Sequence, residues 1–172
     1  MKHKLLLLYA WFIWAITFFL PDIPFIMRFR GFLYGAAMKQ CGKNLQISSG
    51  ARLYCLNNIK CGNHIYIATN VVLNAGTEIE LQDEVMIGIG SVIVSGNHSL
   101  FKNSYRFAAA IREPVIVGKG SWIAGNALVT AGATLPESSM LAGGAVLNKK
   151  FSKPGIYGGV PAKFIANSIE VE

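Results

Sequence analysis

Aliphatic residues recur every six positions along the stretch 117–147. The register consists of Val117, Ile123, Val129, Leu135, Leu141 and Leu147. A small residue follows each of the first five by four positions, as Ser121, Ala127, Ala133, Ser139 and Ala145. A helix repeats its buried face about every 3.6 residues and a strand about every 2, so neither element explains this period.

A six-residue repeat is typical of a chain that runs straight briefly, turns and repeats, so that three straight segments close one triangular coil. The aliphatic side chains then fill the inside of a prism, and the small residues lie where its wall is tight. Successive coils stack about 4.8 Å apart and pair their backbone groups, as neighbouring strands do. The pattern therefore predicts a parallel β-helix in preference to a glycine-rich β-sandwich.

The same register extends upstream with two shifts of two residues. It runs through Ile47 and Leu53, then Cys61, Ile67 and Leu73, then Leu81, Ile87 and Ile93. Together with the downstream repeat, this predicts an all-β fold of about five coils over residues 41–150. Prolines and glycines after Leu147 end the repeat and predict a short cap over residues 151–172.

A polar and aromatic segment, residues 94–114, interrupts the repeat. Loops this long in compact folds are usually functional or disordered. This one leaves a regular wall and returns to it, so we expect it to form part of a site, to contact another subunit, or both.

Residues 1–40 form an apolar segment ahead of the repeat. The uncharged run from Leu5 to Leu20 would reach about 24 Å as a helix, short of the roughly 30 Å hydrocarbon core of a bilayer. A second apolar piece contains Arg28 and Arg30, so we expect a helical hairpin that enters one leaflet and returns, with cations at both ends, attaching residues 5–33 to a membrane surface. Packing in an oligomer core, a cleaved signal and a single span are the alternatives.

Composition narrows the class of protein. The chain has 172 residues, of which 52% are apolar and 15% charged, which suits one domain with a hydrophobic appendage. A net charge of +7 favours nucleic acid, anionic lipid or a phosphate-bearing ligand, but no nucleic-acid module is recognisable, so no such partner is expected. Three cysteines without CxxC spacing indicate neither a disulfide framework nor a zinc site, and favour a reducing compartment.

The candidate chemistry centres on histidine. His3 lies in the apolar segment, His64 within a hexad and His98 where the long loop begins. This set lacks the spacing of a three-histidine zinc site, so no metal is expected. His98 remains as a lone imidazole, suited to accept a proton from a hydroxyl or an amine.

Three motifs carry a resemblance to a known family. They are Gly-Asn-His-Ser at 96–99, Val-Gly-Lys-Gly-Ser-Trp-Ile-Ala-Gly-Asn at 117–126 and Gly-Val-Pro-Ala-Lys at 159–163. With the repeat, they resemble the left-handed β-helix, hexapeptide-repeat acyltransferases, and within these the galactoside, maltose and polysaccharide O-acetyltransferases. The resemblance covers roughly residues 42–166 and excludes the apolar segment.

The resemblance implies a homotrimer that holds acetyl-CoA in a groove between neighbouring prisms. His98 matches the general base, and Gly125 matches the position whose backbone N–H donates to the thioester oxygen. Trp122 would pack beside the thioester. The remaining predicted contacts are Ala142 and Gly143 along the pantetheine arm, Asn148 and Lys149 near the adenine, Lys163 at a phosphate, and Asn70, Asn74, Asn97, Tyr105 and Arg106 at the acceptor.

The sequence therefore predicts a CoA-dependent O-acetyltransferase on the cytoplasmic face of a bacterial inner membrane. The apolar segment favours a sugar on a lipid-linked precursor of surface polysaccharide as the acceptor, because such a sugar is met at a membrane surface. The sugar-binding residues of soluble galactoside enzymes have no clear match at Ala68 or Gly76, which argues against a free disaccharide. The alternatives are N-acetylation of an amino sugar and a non-catalytic β-helix scaffold.

Overall fold

A computed structural model describes residues 2–168 of the chain, except for the side chains of Lys2 and His3. The His3 side chain and the last four residues of the predicted cap therefore lie outside the described part. Two helices come first, α1 (Lys2–Thr17) and α2 (Pro24–Gly35). A short 3₁₀ helix, Leu56–Asn58, and nineteen short strands follow.

Most strands form the three faces of a prism. Face A contains β1 (Gln40–Cys41), β4 (Ile59–Cys61), β7 (Ile79–Leu81), β12 (Val115–Val117) and β15 (Thr134–Leu135). Face B contains β2 (Gln46–Ile47), β5 (Tyr66–Ile67), β8 (Met86–Ile87), β13 (Trp122–Ile123), β16 (Met140–Leu141), β18 (Ile156–Gly158) and β19 (Lys163–Ala166). Face C contains β3 (Arg52–Tyr54), β6 (Val72–Asn74), β9 (Val92–Val94), β14 (Leu128–Val129) and β17 (Val146–Leu147). Two further strands, β10 (Gly96–His98) and β11 (Ala110–Arg112), pair with each other away from the prism.

The prism has five complete turns, and β18 begins a sixth. Pairing from turn to turn is parallel and in register, which confirms the predicted parallel β-helix of about five coils. Ile47 pairs with Ile67 and Ile67 with Ile87, so each early turn takes 20 residues. Ile123 pairs with Leu141, so the late turn takes 18.

The core is the predicted aliphatic register. All fourteen of its residues, from Ile47 to Leu147, are buried. Burying an aliphatic side chain of this size stabilises a fold by about 1.5–3 kcal/mol, so the ladder supplies much of the driving force for coiling.

One corner of the prism, between faces B and C, repeats a left-handed backbone conformation. Gly50, Asn70, Gly90, Asn126 and Gly144 occupy it in successive turns, with φ values of 75°, 59°, 70°, 57° and 69°. Glycine and asparagine are the residues that reach this conformation most readily. Their placement explains why the chain turns at the same point in each coil.

The helix pair, α1 and α2, closes the first turn of the prism. The N–H of Ser48 donates to the carbonyl of Ile67 in the second turn at 2.9 Å, so the carbonyl of Ile47, in the same peptide group, faces the open end. Arg30 of α2 donates to the carbonyl of Ile47 there, at 3.3 Å. A Cβ on Gly31 would lie only 1.9 Å from the carbonyl oxygen of Leu45, so α2 approaches closely because this residue is glycine.

Arg30 corrects one sequence interpretation. It is not a surface cation at the end of a membrane hairpin, since its side chain is 1% exposed and its Nη1 lies 2.6 Å from Oδ1 of Asp22. The helices do form a hairpin, in which Tyr9 donates to the carbonyl of Leu33 at 2.7 Å. Neither helix in the described residues is long and apolar enough to cross a bilayer.

Two strands cover the other end of the prism. Strands β18 and β19 pair antiparallel, and the Phe151 ring stacks on that of Tyr157 with centroids 4.1 Å apart. Phe164 meets Tyr157 edge-on at 5.8 Å. These aromatic contacts cover the last aliphatic layer.

Candidate active site

The segment from Ser95 to Glu113, here called the arm, leaves the prism at the corner between faces C and A. Strands β10 and β11 pair antiparallel within it, with His98 opposite Ala110. The buried hydroxyl of Ser95 donates to the carbonyl of Thr77 at 2.8 Å and accepts from its N–H at 3.0 Å. The root of the arm is thus fixed to the preceding turn.

His98 projects from this fixed root. Its side chain is exposed, and within residues 2–168 its imidazole makes no hydrogen bond or ion pair. Asn97 and the exposed Asn74, at the end of β6, lie at the same corner. The imidazole is therefore accessible to a substrate or to a second protein chain.

The far end of the arm is apolar and basic. Tyr105 and Phe107 are strongly exposed, and the guanidinium of Arg106 lies 5.7 Å from the ring of Phe107. These side chains extend away from the prism, where an acceptor or a neighbouring subunit can contact them.

Face B presents an outward apolar ladder that includes Trp122. Trp122 pairs in register with Met86 below and Met140 above, and Tyr66 precedes Met86 on the same face. Trp122 and Met86 are 42% and 47% exposed. Sequence reasoning singled out only Trp122, although each ladder residue stands one position before an inward aliphatic and could have been found from the register.

At the corner between faces B and C, Gly125, Ala142 and Gly143 form a strip of small residues, here called the trench. A Cβ on Gly143 would lie 3.2 Å from the carbonyl oxygen of Gly125, so the absence of side chains keeps the backbone accessible. In the described chain the N–H of Gly125 donates to no acceptor. A free backbone N–H of this kind can stabilise a developing oxyanion.

Lys163 lies at the cap end of this trench. It pairs with Gly158 on β18, and a Cβ on Gly158 would lie 3.2 Å from Cβ of Ala142. Asn148 and Lys149 follow β17 instead and lie at the corner between faces C and A, where Nζ of Lys149 is 5.1 Å from the ring of Phe151. One protomer therefore does not bring Asn148 and Lys149 together with Lys163.

His98 and Gly125 lie at opposite edges of face C. Strands β9 and β14 are paired neighbours, with Ile93 opposite Val129. Gly125 precedes β14 and His98 follows β9, so the width of the face separates them. A single protomer does not juxtapose the two predicted catalytic groups.

Asn70 has a structural explanation. It is one of the left-handed corner residues, and a Cβ on Gly50 would lie 2.6 Å from its Oδ1. It lies at the corner remote from Asn74, Asn97 and His98, so the structure separates it from the other acceptor candidates.

The cysteines are poor nucleophiles. Burial raises the pKa of the Cys61 thiol far above its ordinary value, and burial also raises the pKa values of Cys41 and Cys55. Only thiolates are strongly nucleophilic. Among residues 2–168, no group of three or more His, Cys, Asp or Glu side chains is arranged to hold a metal ion.

Comparison with known proteins gives the chain its relatives. No protein-family model matches it. It is 24% identical over 113 residues to the galactoside O-acetyltransferase of Escherichia coli strain K12, covering 63% of this chain and 54% of that protein. The chain thus spans about half the length of this relative.

Two solved structures share the fold. A hexapeptide-repeat acetyltransferase from Vibrio cholerae, complexed with acetyl coenzyme A, matches with a TM-score of 0.80 and 22% identity over 97% of this chain and 89% of that one. A maltose O-acetyltransferase from Clostridium difficile matches with a TM-score of 0.80 and 19% identity over 98% and 91%. The predicted left-handed parallel β-helix is confirmed by these fold relatives, and in sequence the chain is similar to a protein named as an O-acetyltransferase.

Proposed function

We propose that this protein is an acetyl-CoA-dependent O-acetyltransferase in which His98 acts as the general base on a sugar hydroxyl. The observation that carries the proposal is an exposed imidazole without a partner in the described chain, held on an arm whose root is fixed by Ser95. The sequence relative named galactoside O-acetyltransferase and the fold relative that holds acetyl coenzyme A support the choice of donor and reaction.

The chemistry requires little of the protein because a thioester is already activated. His98 takes the proton as the acceptor oxygen bonds to the acetyl carbonyl carbon, and the N–H of Gly125 donates to the carbonyl oxygen as it becomes negative. The carbon–sulfur bond then breaks, and the imidazolium returns its proton to the departing thiolate. One oriented oxyanion donor is worth about 3 kcal/mol in such reactions.

The separation of His98 and Gly125 across face C supports a site shared between copies. We infer a homotrimer in which the arm of one protomer reaches the trench of the next. Acetyl-CoA would lie along Gly125, Ala142 and Gly143, with Trp122 beside the acetyl group and a phosphate at Lys163. Asn148 and Lys149 would then contact the adenine end from the other side of the groove.

For the acceptor we propose a sugar on a lipid-linked precursor of surface polysaccharide, met at the cytoplasmic face of the bacterial inner membrane. Acetyl-CoA is available there, and no disulfide joins the three cysteines in the described part of the chain, as suits a reducing compartment. Asn74 and Asn97, at the same corner of the prism as His98, would orient the hydroxyl. Tyr105 and Arg106 would contact the rest of the acceptor.

The test is product chemistry. Purified protein is incubated with labelled acetyl-CoA and a lipid-linked oligosaccharide fraction, and the labelled product is treated with alkali. Release of the label supports an ester and O-acetylation, whereas an alkali-stable amide would show N-acetylation of an amino sugar. No CoA-dependent transfer, together with cellular effects that survive His98→Ala, would indicate a scaffold instead.

A further inference from the structure

The outer face of the helix pair is apolar and unpartnered in this structure. Helix α1 uses Ala10 and Ile13 to pack on the prism, and α2 uses Tyr34. The opposite sides carry exposed large apolar residues at helical spacing, namely Leu5, Leu8, Phe12 and Ile16 on α1 and Phe25, Phe29 and Phe32 on α2. Phe25 and Phe32 are each 73% exposed, so this face is available to a partner.

The charge of the chain is concentrated beside this face. Residues 1–77 contain eight Lys and Arg but a single acidic residue, Asp22, so they account for the whole net charge of +7. Asp22 is itself paired with the buried Arg30. Residues 78–172 contain equal numbers of acidic and basic side chains. Lys39 and Lys60 of the first part pair with Glu78, but Arg28 and Lys43 lie beside α2 and complement an anionic surface.

A cavity of about 470 Å³ lies between α2 and the first turn. Its apolar lining includes Gly31, Phe32 and Leu45, and its two cations are Arg28 and Lys43. Both cations are exposed, and neither forms an ion pair within residues 2–168. Two unpaired cations next to an apolar wall suit a phosphate ester that carries a hydrocarbon chain.

We propose that α1 and α2 form a monotopic docking surface for an anionic bilayer, with a lipid phosphate held between Arg28 and Lys43. The apolar residues enter the boundary between headgroups and acyl chains, as amphipathic interfacial helices do. The arm leaves the third turn of the prism, two turns of about 4.8 Å from the turn that α2 covers. His98 would therefore stand close enough to the surface to meet a sugar on a lipid carrier.

Vesicle flotation without acetyl-CoA tests this surface independently of the enzymatic proposal. The full chain is mixed with vesicles of phosphatidylcholine alone or with added phosphatidylglycerol. We expect flotation with the anionic vesicles that weakens as salt rises. The double variant Arg28→Gln, Lys43→Gln should partition into the anionic vesicles about 30-fold less than the wild type. This corresponds to about 2 kcal/mol, at roughly 1 kcal/mol for each cation.

The matched control removes two exposed charges at the other end of the prism, Lys150→Gln with Lys153→Gln, and should leave partitioning into the vesicles near the wild-type value. The triple variant Phe25→Ser, Phe29→Ser, Phe32→Ser should reduce flotation at least as strongly as the loss of the two cations. Circular dichroism shows whether each variant folds. If the triple variant does not fold, the charge variants alone test the docking surface.

Three results would overturn the proposal. The first is no flotation of the wild type with anionic vesicles, and the second is equal loss from the Arg28/Lys43 and the Lys150/Lys153 variants. The third is a triple variant that floats normally but sediments as a smaller species, because that would show that a second copy of the chain covers the apolar face.

Discussion

The guanidinium Nη1 of Arg30 lies 2.6 Å from the carboxylate Oδ1 of Asp22. The same carboxylate oxygen accepts the N–H of Ser49 at 2.7 Å, while Arg30 also donates to carbonyls of the α1 end, Thr17 at 3.1 Å and Leu20 at 2.5 Å. This one side chain thus joins both helices to the first turn of the prism.

Replacing Arg30 should destabilise the protein. Arg30→Met keeps a long side chain but leaves Asp22 and several buried carbonyls without their donor, so we expect the free energy of unfolding to fall by about 2–3 kcal/mol. Urea denaturation measures it. Arg28→Met on the same helix is the control, because Arg28 is exposed and its loss should cost less than about 0.5 kcal/mol. Equal stability of the two variants would contradict the role of Arg30.

His98 should be required for turnover. We expect His98→Asn to lower kcat by about 10²–10⁴-fold, the usual contribution of a general base, with little change in the KM for acetyl-CoA. His64→Asn is the matched control, since His64 has a left-handed φ of 60° that asparagine tolerates and contacts Asn44 at 3.0 Å. Steady-state rates for both variants make the comparison, and a similar loss in each would remove His98 from the chemistry.

The trench should bind the donor through its lack of side chains. Gly143→Val places a branched side chain where Gly143 now exposes backbone, so we expect the KM for acetyl-CoA to rise at least about tenfold with kcat little changed. Thr69→Val is the control. Thr69 has the same corner position two turns before Gly125, and its replacement should leave the KM for acetyl-CoA unaltered. An unchanged KM in Gly143→Val would show that the donor binds elsewhere.

Glu78 should contribute stability that depends on pH. Hydrogen bonds from Lys39 at 2.7 Å and Lys60 at 2.9 Å lower the pKa of Glu78 from its ordinary 4.5. A lowered folded-state pKa stabilises the fold above the unfolded-state pKa, and the effect is lost as pH falls through the folded-state value.

We therefore expect Glu78→Gln to cost up to about 1 kcal/mol at neutral pH, as a partly exposed ion pair does, and nothing in strong acid. Thermal unfolding at a series of pH values measures this difference. Glu84→Gln should change little at any pH, because Glu84 lies 3.7 Å from Lys119 and both side chains are 56% exposed. A cost of Glu78→Gln that persists in acid would exclude the ion pairs as its cause.

The hexad predicted the interior of the prism residue by residue, because an inward position tolerates only an apolar side chain of limited size. Cys61 shows how strict that constraint is, since a thiol takes an aliphatic position and is 1% exposed. Outward positions are less constrained. The ladder of Tyr66 and Met86 beside Trp122 was therefore missed.

Other features depend on contacts between distant parts of the chain. Sequence pattern does not distinguish an arginine buried against helix-end carbonyls from one at a membrane surface, and Arg30 was misread for that reason. His98 and Gly125 are separated because β9 and β14 lie side by side on face C, with His98 after the end of β9 and Gly125 before the start of β14. The order of the motifs along the chain does not reveal it.

The shared site is the central claim, and subunit mixing tests it most directly. His98→Asn and Gly125→Val chains, each inactive alone, are co-expressed with different tags, and the mixed oligomers are purified and assayed. If the base and the oxyanion donor come from different protomers, one of the three sites in each mixed trimer contains both native residues, and activity should return to about a third of wild type. Mixed oligomers no more active than either parent would contradict the account.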